Sequence, residues 1–123
     1  MFNDWTEKYE YIIDLGKSLP VINDAFKTSD NTVKGCQSKV WLYAEYINNK
    51  LIFTADSDAI ITKGIIAILV RVFSNQSPKD IVDAKADFIE EIGLKQHLSQ
   101  TRANGLSSMI KQIKLYAVAY LNK

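Results

Sequence analysis

Cys36 and His97 are the only cysteine and the only histidine in a chain of 123 residues. They are the side chains here with the strongest claim to act as nucleophile, metal ligand or base near neutral pH. A single cysteine excludes any disulfide within the chain and fits a reducing compartment. One cysteine with one histidine cannot complete a Cys/His zinc site or a four-thiolate iron–sulfur site in one chain. What remains is the chemistry of one thiol, as nucleophile, as temporary carrier, or as an inert space-filler.

The neighbours of Cys36 bear on that choice. Lys34 and Gly35 precede it, and Gln37, Ser38 and Lys39 follow; none is a natural core residue. Gly35 frees the backbone for a tight loop tip. Lys34 and Lys39 bring positive charge toward the sulfur and predict a thiol biased toward the thiolate. Against this, free cysteine is among the most buried residue types. These features alone leave a reactive and an inert Cys36 equally open. His97 invites a Cys–His dyad, but a lone histidine is more often a hydrogen-bonded structural residue. A hydrolase would also need a third orienting group and a substrate pocket, neither of which can be read here.

The elements that would position the thiol follow from periodicity. From Asp4 to Leu19, Trp5, Tyr9, Ile12, Ile13 and Leu19 recur at three- and four-residue steps, predicting an amphipathic helix capped by Asn3 or Asp4, with Pro20 just past its end. Val40–Ile47 and Leu51–Ala55 are rich in β-branched and aromatic residues and flank Asn48-Asn49-Lys50, which predicts a β-hairpin. A further short strand is expected before Val33. Asp56-Ser57-Asp58 is expected to cap a helix over 59–73, with Asp58 capping or charging its first turn. That helix is apolar nearly all round and should be buried. Ser77-Pro78-Lys79-Asp80 opens a short helix, and a second is expected over 85–91, ending near Gly93. The last helix is expected over 101–121, with Leu106, Met109, Ile110, Ile113, Tyr116, Ala117, Tyr120 and Leu121 facing the core. Strands followed by helices indicate an α+β fold, a small antiparallel sheet packed against several helices in a single domain over 1–123.

Composition narrows the function classes. Fifteen basic and fourteen acidic residues leave a formal net charge of +1, which speaks against a general nucleic-acid binder. The distribution is uneven: residues 1–32 carry six carboxylates against three lysines, whereas residues 95–123 carry five cations and no carboxylate. A basic outer helix face or a dock for an acidic partner patch would each produce this. The longest apolar run, Gly64–Val70, is far short of a bilayer span. The opening residues lack a signal-peptide pattern, so a cytoplasmic protein without membrane contact is expected. No Gly-rich phosphate loop is present.

Val33-Lys34-Gly35-Cys36-Gln37-Ser38-Lys39-Val40-Trp41-Leu42 resembles the cysteine signature of the SufE family of sulfur-acceptor proteins. Lys8–Gly16 is similar to that family's opening helix, Ala55–Ala59 followed by Lys63–Ala67 to its second block, and Gly93–Leu106 to its third. The blocks are colinear and span nearly the whole chain. Two positions depart from the pattern: Lys39 stands where glutamine is more usual, and Gln100 where proline is.

The resemblance implies an α+β fold shared with the iron–sulfur scaffold proteins. It implies that Cys36 takes sulfane sulfur from a pyridoxal-phosphate cysteine desulfurase and passes it to an iron–sulfur assembly scaffold, the carrier itself needing neither metal nor organic cofactor. Gly35, Gln37 and Ser38 would shape the loop. A carrier that frees its donor for the next turnover should also stimulate the desulfurase. The family match keeps Arg102, in the first turn of the last helix, and Asp58 as candidate partner-binding residues. Glu90 reads as a solvated helix carboxylate with a lesser claim to that role, and His97 has one too. The rival readings are a Cys36–His97 hydrolase, an iron–sulfur scaffold by fold analogy, and an interaction domain with an inert Cys36.

Overall fold

The computed structural model describes residues 5–36, 38–84 and 100–121, with backbone alone for 5–9 and 100–104. In chain order come helix α1 (Trp5–Lys17), two 3₁₀ turns (Asp24–Phe26 and Ser29–Asn31), strands β1 (Val40–Ile47) and β2 (Lys50–Ser57), and helices α2 (Ile60–Phe73), α3 (Pro78–Asp83) and α4 (Gln100–Tyr120). The architecture is α+β, as the order of the elements predicts. The helix expected over 85–91 and the cap at Asn3 or Asp4 lie outside the described residues.

The hairpin forms for a local reason. Asn48 and Asn49 both adopt left-handed backbone angles, φ 52° and 66°, and Ile47 pairs with Lys50 across them. Two successive residues of that kind make the two-residue turn whose twist matches the strands, and asparagine tolerates the conformation. Period-two alternation turns Val40, Leu42 and Ala44 of β1 and Leu51, Phe53 and Ala55 of β2 inward, each at most 2% exposed.

A lone hairpin is marginal in water, and here both edges are covered. Val33 N–H donates to Val40 O (2.7 Å) on one side. On the other, Ile22 N–H donates to Ala55 O (3.1 Å) and Leu51 N–H to Gln76 O (2.8 Å). The strand expected before Val33 reduces to a single bridge, Thr32 with Trp41, because the chain turns at once into the cysteine loop.

Helices cover the sheet's inner face. α2 buries Ile65, Ile66, Leu69, Val70 and Phe73, but Ile60 and Val72 face solvent, at 68% and 41% exposure. α1 crosses α2 where glycines meet: a Cβ on Gly64 would fall 2.2 Å from Ile12 O, and one on Gly16 would fall 3.1 Å from Gly64 N. On α4, Leu106, Met109, Ile113 and Ala117 are buried and Ile110, Tyr116 and Tyr120 partly so. Leu121, expected in that stripe, is 43% exposed because the helix has ended at Tyr120. Tyr116 hydroxyl donates to Leu42 O (2.9 Å), tying α4 to β1. Lys114 donates its ammonium hydrogens to Ala84 O and Val82 O, holding the carbonyl end of α3 against α4.

The expected cap of α2 is different in the structure. Its N-cap is Ala59, with no side-chain hydrogen bond. Ser57 Oγ accepts from Ala59 N–H (3.2 Å), and the Asp58 carboxylate points away from the helix to accept the Lys39 N–H (3.1 Å). Asp58 serves the cysteine loop in place of the helix start. Pro78 opens α3 as expected, with Ser77 Oγ accepting from Asp80 N–H (3.1 Å).

Candidate functional site

Cys36 sits on a loop, residues 34–39, whose neck is closed by the Val33–Val40 hydrogen bond. Gly35 makes the bend with φ +92°, a conformation L side chains rarely adopt, and lies so close to α4 that a Cβ would fall 2.4 Å from Ser108 Oγ. The far side of the loop is fastened to the end of β2. Lys39 O accepts from Ser57 Oγ–H (2.8 Å) and Asp58 N–H (3.3 Å), while Lys39 N–H donates to Asp58 Oδ1.

The same end of the hairpin carries an ion-pair network. Asp56 receives Lys27 at 2.7 Å and Lys63 at 3.4 Å, and Lys27 also reaches Asp24 at 3.3 Å. Burial opposes ionisation of Asp56, but hydrogen bonds from Lys27 and from Ser57 N–H, with the Lys63 charge beside them, outweigh it and hold the carboxyl below its usual range. Lys27 also lies 5.3 Å from the centre of the Trp41 ring. The network clips the 3₁₀ turn at 24–26 and α2 to β2 immediately before Ser57 and Asp58.

The sulfur itself is half-buried. It packs against the core, and its thiol donates to Gly105 O on α4, with Sγ 3.6 Å from that oxygen. A cleft of about 440 Å³ opens beside it, walled by Ile61, Ile65 and Met109 and edged by Ser38, Asp58 and Ile60.

Burial pushes the Cys36 thiol above its ordinary pKa. This corrects the expectation from Lys34 and Lys39. Both lysines are exposed, and water screens their charge more than the low-dielectric wall around the sulfur does. The resting thiol is therefore protonated at neutral pH and poised at a cleft.

Of the residues singled out from the sequence, Gly35, Ser38 and Asp58 converge on Cys36. Arg102 falls in the first turn of α4, where only the backbone is described. Gln37, Glu90 and His97 lie outside the described residues, so the Cys36–His97 pairing is not described either. From the sequence, Met109 falls in the core stripe of the last helix and Gly105 within a matching block, and neither these, nor Ser108, nor Ile60 and Ile61 of α2 are assigned to the site. Gly105 did carry a signal, since glycine inside a helix is costly and marks a close approach. A Cβ there would stand 3.4 Å from Cys36 Sγ. Among the described residues no group of three or more His, Cys, Asp or Glu side chains is arranged to hold a metal ion.

With the geometry in place, comparison with known proteins adds the lineage. A family model described as SufE, the Fe-S metabolism associated domain, matches residues 1–117. The chain belongs to the SufE family. An uncharacterised SufE-like protein of Rhizobium meliloti (strain 1021) is 42% identical over 117 residues, covering 91% of this chain and 84% of the relative. The fold is similar to the solution structure of a hypothetical protein from Thermus thermophilus, with a TM-score of 0.77 over 96% of this chain and 87% of that one. At 16% identity that likeness shows the fold alone. A SufE domain is one associated with Fe–S metabolism, and the lone thiol at its cleft has to be understood in that setting. Among the described residues no helix is long and apolar enough to cross a membrane.

Proposed function

We propose that this SufE-family chain is a cytoplasmic sulfur carrier. Cys36 accepts sulfane sulfur from the persulfide of a pyridoxal-phosphate cysteine desulfurase and yields it to an iron–sulfur assembly scaffold. The Cys36 thiolate attacks the outer sulfur of the donor's persulfide. A new S–S bond forms on Cys36, the donor's S–S bond breaks, and the donor's inner sulfur leaves as thiolate, by analogy with thiol–disulfide exchange. Thiol plus persulfide gives persulfide plus thiol, so no oxidant or reductant is consumed.

The observation that carries this reading is the placement of Cys36, the sole cysteine of the chain, on a glycine-bent loop at the edge of a cleft. With no second thiol in the chain, a Cys36 persulfide has no internal partner with which to collapse to a disulfide. It keeps its sulfur until another protein's thiol removes it. The chemistry asks nothing of this chain beyond the thiol and its loop, the pyridoxal phosphate belonging to the donor. Burial raises the Cys36 pKa, and the proton that Cys36 gives up on attack is balanced by the one the donor's released thiolate takes up. Removing sulfur from the donor frees that enzyme for its next turnover, so the protein should raise its consumption of cysteine.

Intact-mass measurement after incubation with desulfurase and cysteine tests the proposal. Wild type should gain the mass of one sulfur atom and raise alanine release as it is titrated in. Cys36→Ser should do neither while melting close to wild type. A wild-type mass that stays unshifted in the presence of active desulfurase would overturn it.

A further inference from the structure

Ile60 is the most exposed large apolar side chain among the described residues, at 68%. A single apolar residue on a surface needs no explanation by itself. Its position does. Ile60 is the first residue of α2 and stands on the edge of the cleft that holds Cys36, above the apolar wall made by Ile61, Ile65 and Met109. Local helix chemistry gives no reason for isoleucine there. A first turn favours carboxylates and capping side chains, whereas α2 begins Ile60-Ile61-Thr62-Lys63, with no acidic residue and no side-chain cap.

Sulfur transfer supplies the reason. The outer sulfur of the donor must come within about 2 Å of Cys36 Sγ, the length of an S–S bond. Because Cys36 is half-buried beside this cleft, with its S–H near Gly105 O, a donor that reaches the sulfur through the cleft closes over its mouth and covers Ile60. The polar groups at the mouth have partners already: Asp58 Oδ1 accepts from Lys39 N–H, and Lys39 O accepts from Ser57 and Asp58. These bonds occupy backbone groups and one carboxylate oxygen, so the second Asp58 oxygen and the exposed Lys39 ammonium stay at the rim, while among the described residues lining the mouth Ile60 is the exposed large apolar side chain.

Resting on the carrier reading above, we propose that Ile60 is the apolar anchor of the docking surface for the persulfide-donating desulfurase, with Ser38, Lys39 and Asp58 as its polar rim. An apolar centre with a polar rim is the usual anatomy of a binding hot spot. The matching feature on the donor is an apolar socket beside its persulfide-bearing cysteine.

The test measures the affinity of the full-length chain for the desulfurase by calorimetry, and sulfur acceptance by intact mass, for wild type, Ile60→Ala, Ile60→Asp and Val72→Asp. Aspartate at the start of α2 suits the positive helix end, so Ile60→Asp should fold. Burying an isoleucine side chain corresponds to a factor of about 10 to 100 in affinity. Ile60→Asp should weaken binding by at least about tenfold, with Ile60→Ala between it and wild type. Sulfur acceptance should recover as either variant is raised toward saturation. The loss in affinity should exceed any change in the rate at which iodoacetamide alkylates Cys36 in the isolated variants. Val72→Asp, at the other end of α2, should bind as wild type does. Unchanged affinity for Ile60→Asp, or an equal loss for Val72→Asp, overturns the docking inference and leaves the carrier reading intact. An alkylation change as large as the affinity loss also overturns it, since Ile60 would then act on the cysteine loop. A wild type that takes no sulfur overturns the carrier reading and this inference with it.

Discussion

Gly64 and Gly105 each interrupt a helix, where glycine costs about 0.5–1 kcal/mol relative to alanine, and each faces another part of the chain. The surroundings differ. At Gly64 a Cβ would meet the Ile12 carbonyl oxygen at 2.2 Å, and the obstacle is backbone inside a helix crossing. At Gly105 a Cβ would meet the Cys36 sulfur at 3.4 Å, an ordinary contact beside a cleft. One glycine is demanded by the scaffold. The other leaves room around a sulfur atom.

The hardest blow to this contrast is aimed at the crossing. Gly64→Ala should destabilise the protein by about 3 kcal/mol through overpacking, seen as a fall of about 10 °C in thermal unfolding. A melting point near that of wild type would mean that α1 and α2 separate easily, and the scaffold half of the comparison would fail. Gly35→Ala comes next. Its φ of +92° and its contact with Ser108 Oγ should cost about 1–2 kcal/mol. Ser108→Ala in the same chain should recover part of that loss by removing the hydroxyl, which chemical denaturation of wild type, the two single variants and the double variant would resolve.

The third prediction concerns protons. Because burial raises the Cys36 pKa, alkylation by iodoacetamide should be slower in the native protein than in the unfolded chain at the same pH. The native rate should rise about tenfold per pH unit until pH passes the raised pKa. The stability effect has a definite sign. The unfolded thiol ionises first, so the native state loses stability as pH climbs from the ordinary thiol pKa toward the raised one. A native rate that levels off below the pKa of an ordinary thiol would show instead that Lys34 and Lys39 govern the sulfur. The smallest effect sharpens the comparison most. Gly105→Ala should leave stability unchanged or raise it by about 0.5 kcal/mol through helix propensity, while slowing alkylation of Cys36 by crowding its sulfur. Destabilisation as large as that of Gly64→Ala would erase the distinction between the two glycines.

Features that rest on neighbouring residues were legible from the letters. Asn48-Asn49 announced the turn, the β-branched and aromatic residues of 40–47 announced β1, and Ser77-Pro78 announced α3. The cysteine motif and the colinear blocks placed the chain among the SufE proteins. Errors arose where a local rule met a distant competitor. Asp58 has the right type to cap α2, yet the Lys39 amide, nineteen residues back, takes its carboxylate. Lys34 and Lys39 flank Cys36 in sequence but lose to the walls that bury it. Ile60 belongs to an apolar helix but stands at its exposed end.

The sequence by itself determined the turn, the periodic faces, the lone thiol and the family, because each depends on residue identity and on spacing along the chain. Only the tertiary structure decided the direction in which burial moves the Cys36 pKa, the partner of Asp58 and the space beside Gly105. Those depend on which groups, sixty-nine residues apart for Cys36 and Gly105, are pressed together in a low dielectric. There, desolvation and packing act through distance in space and outrank the charges that are near only in sequence.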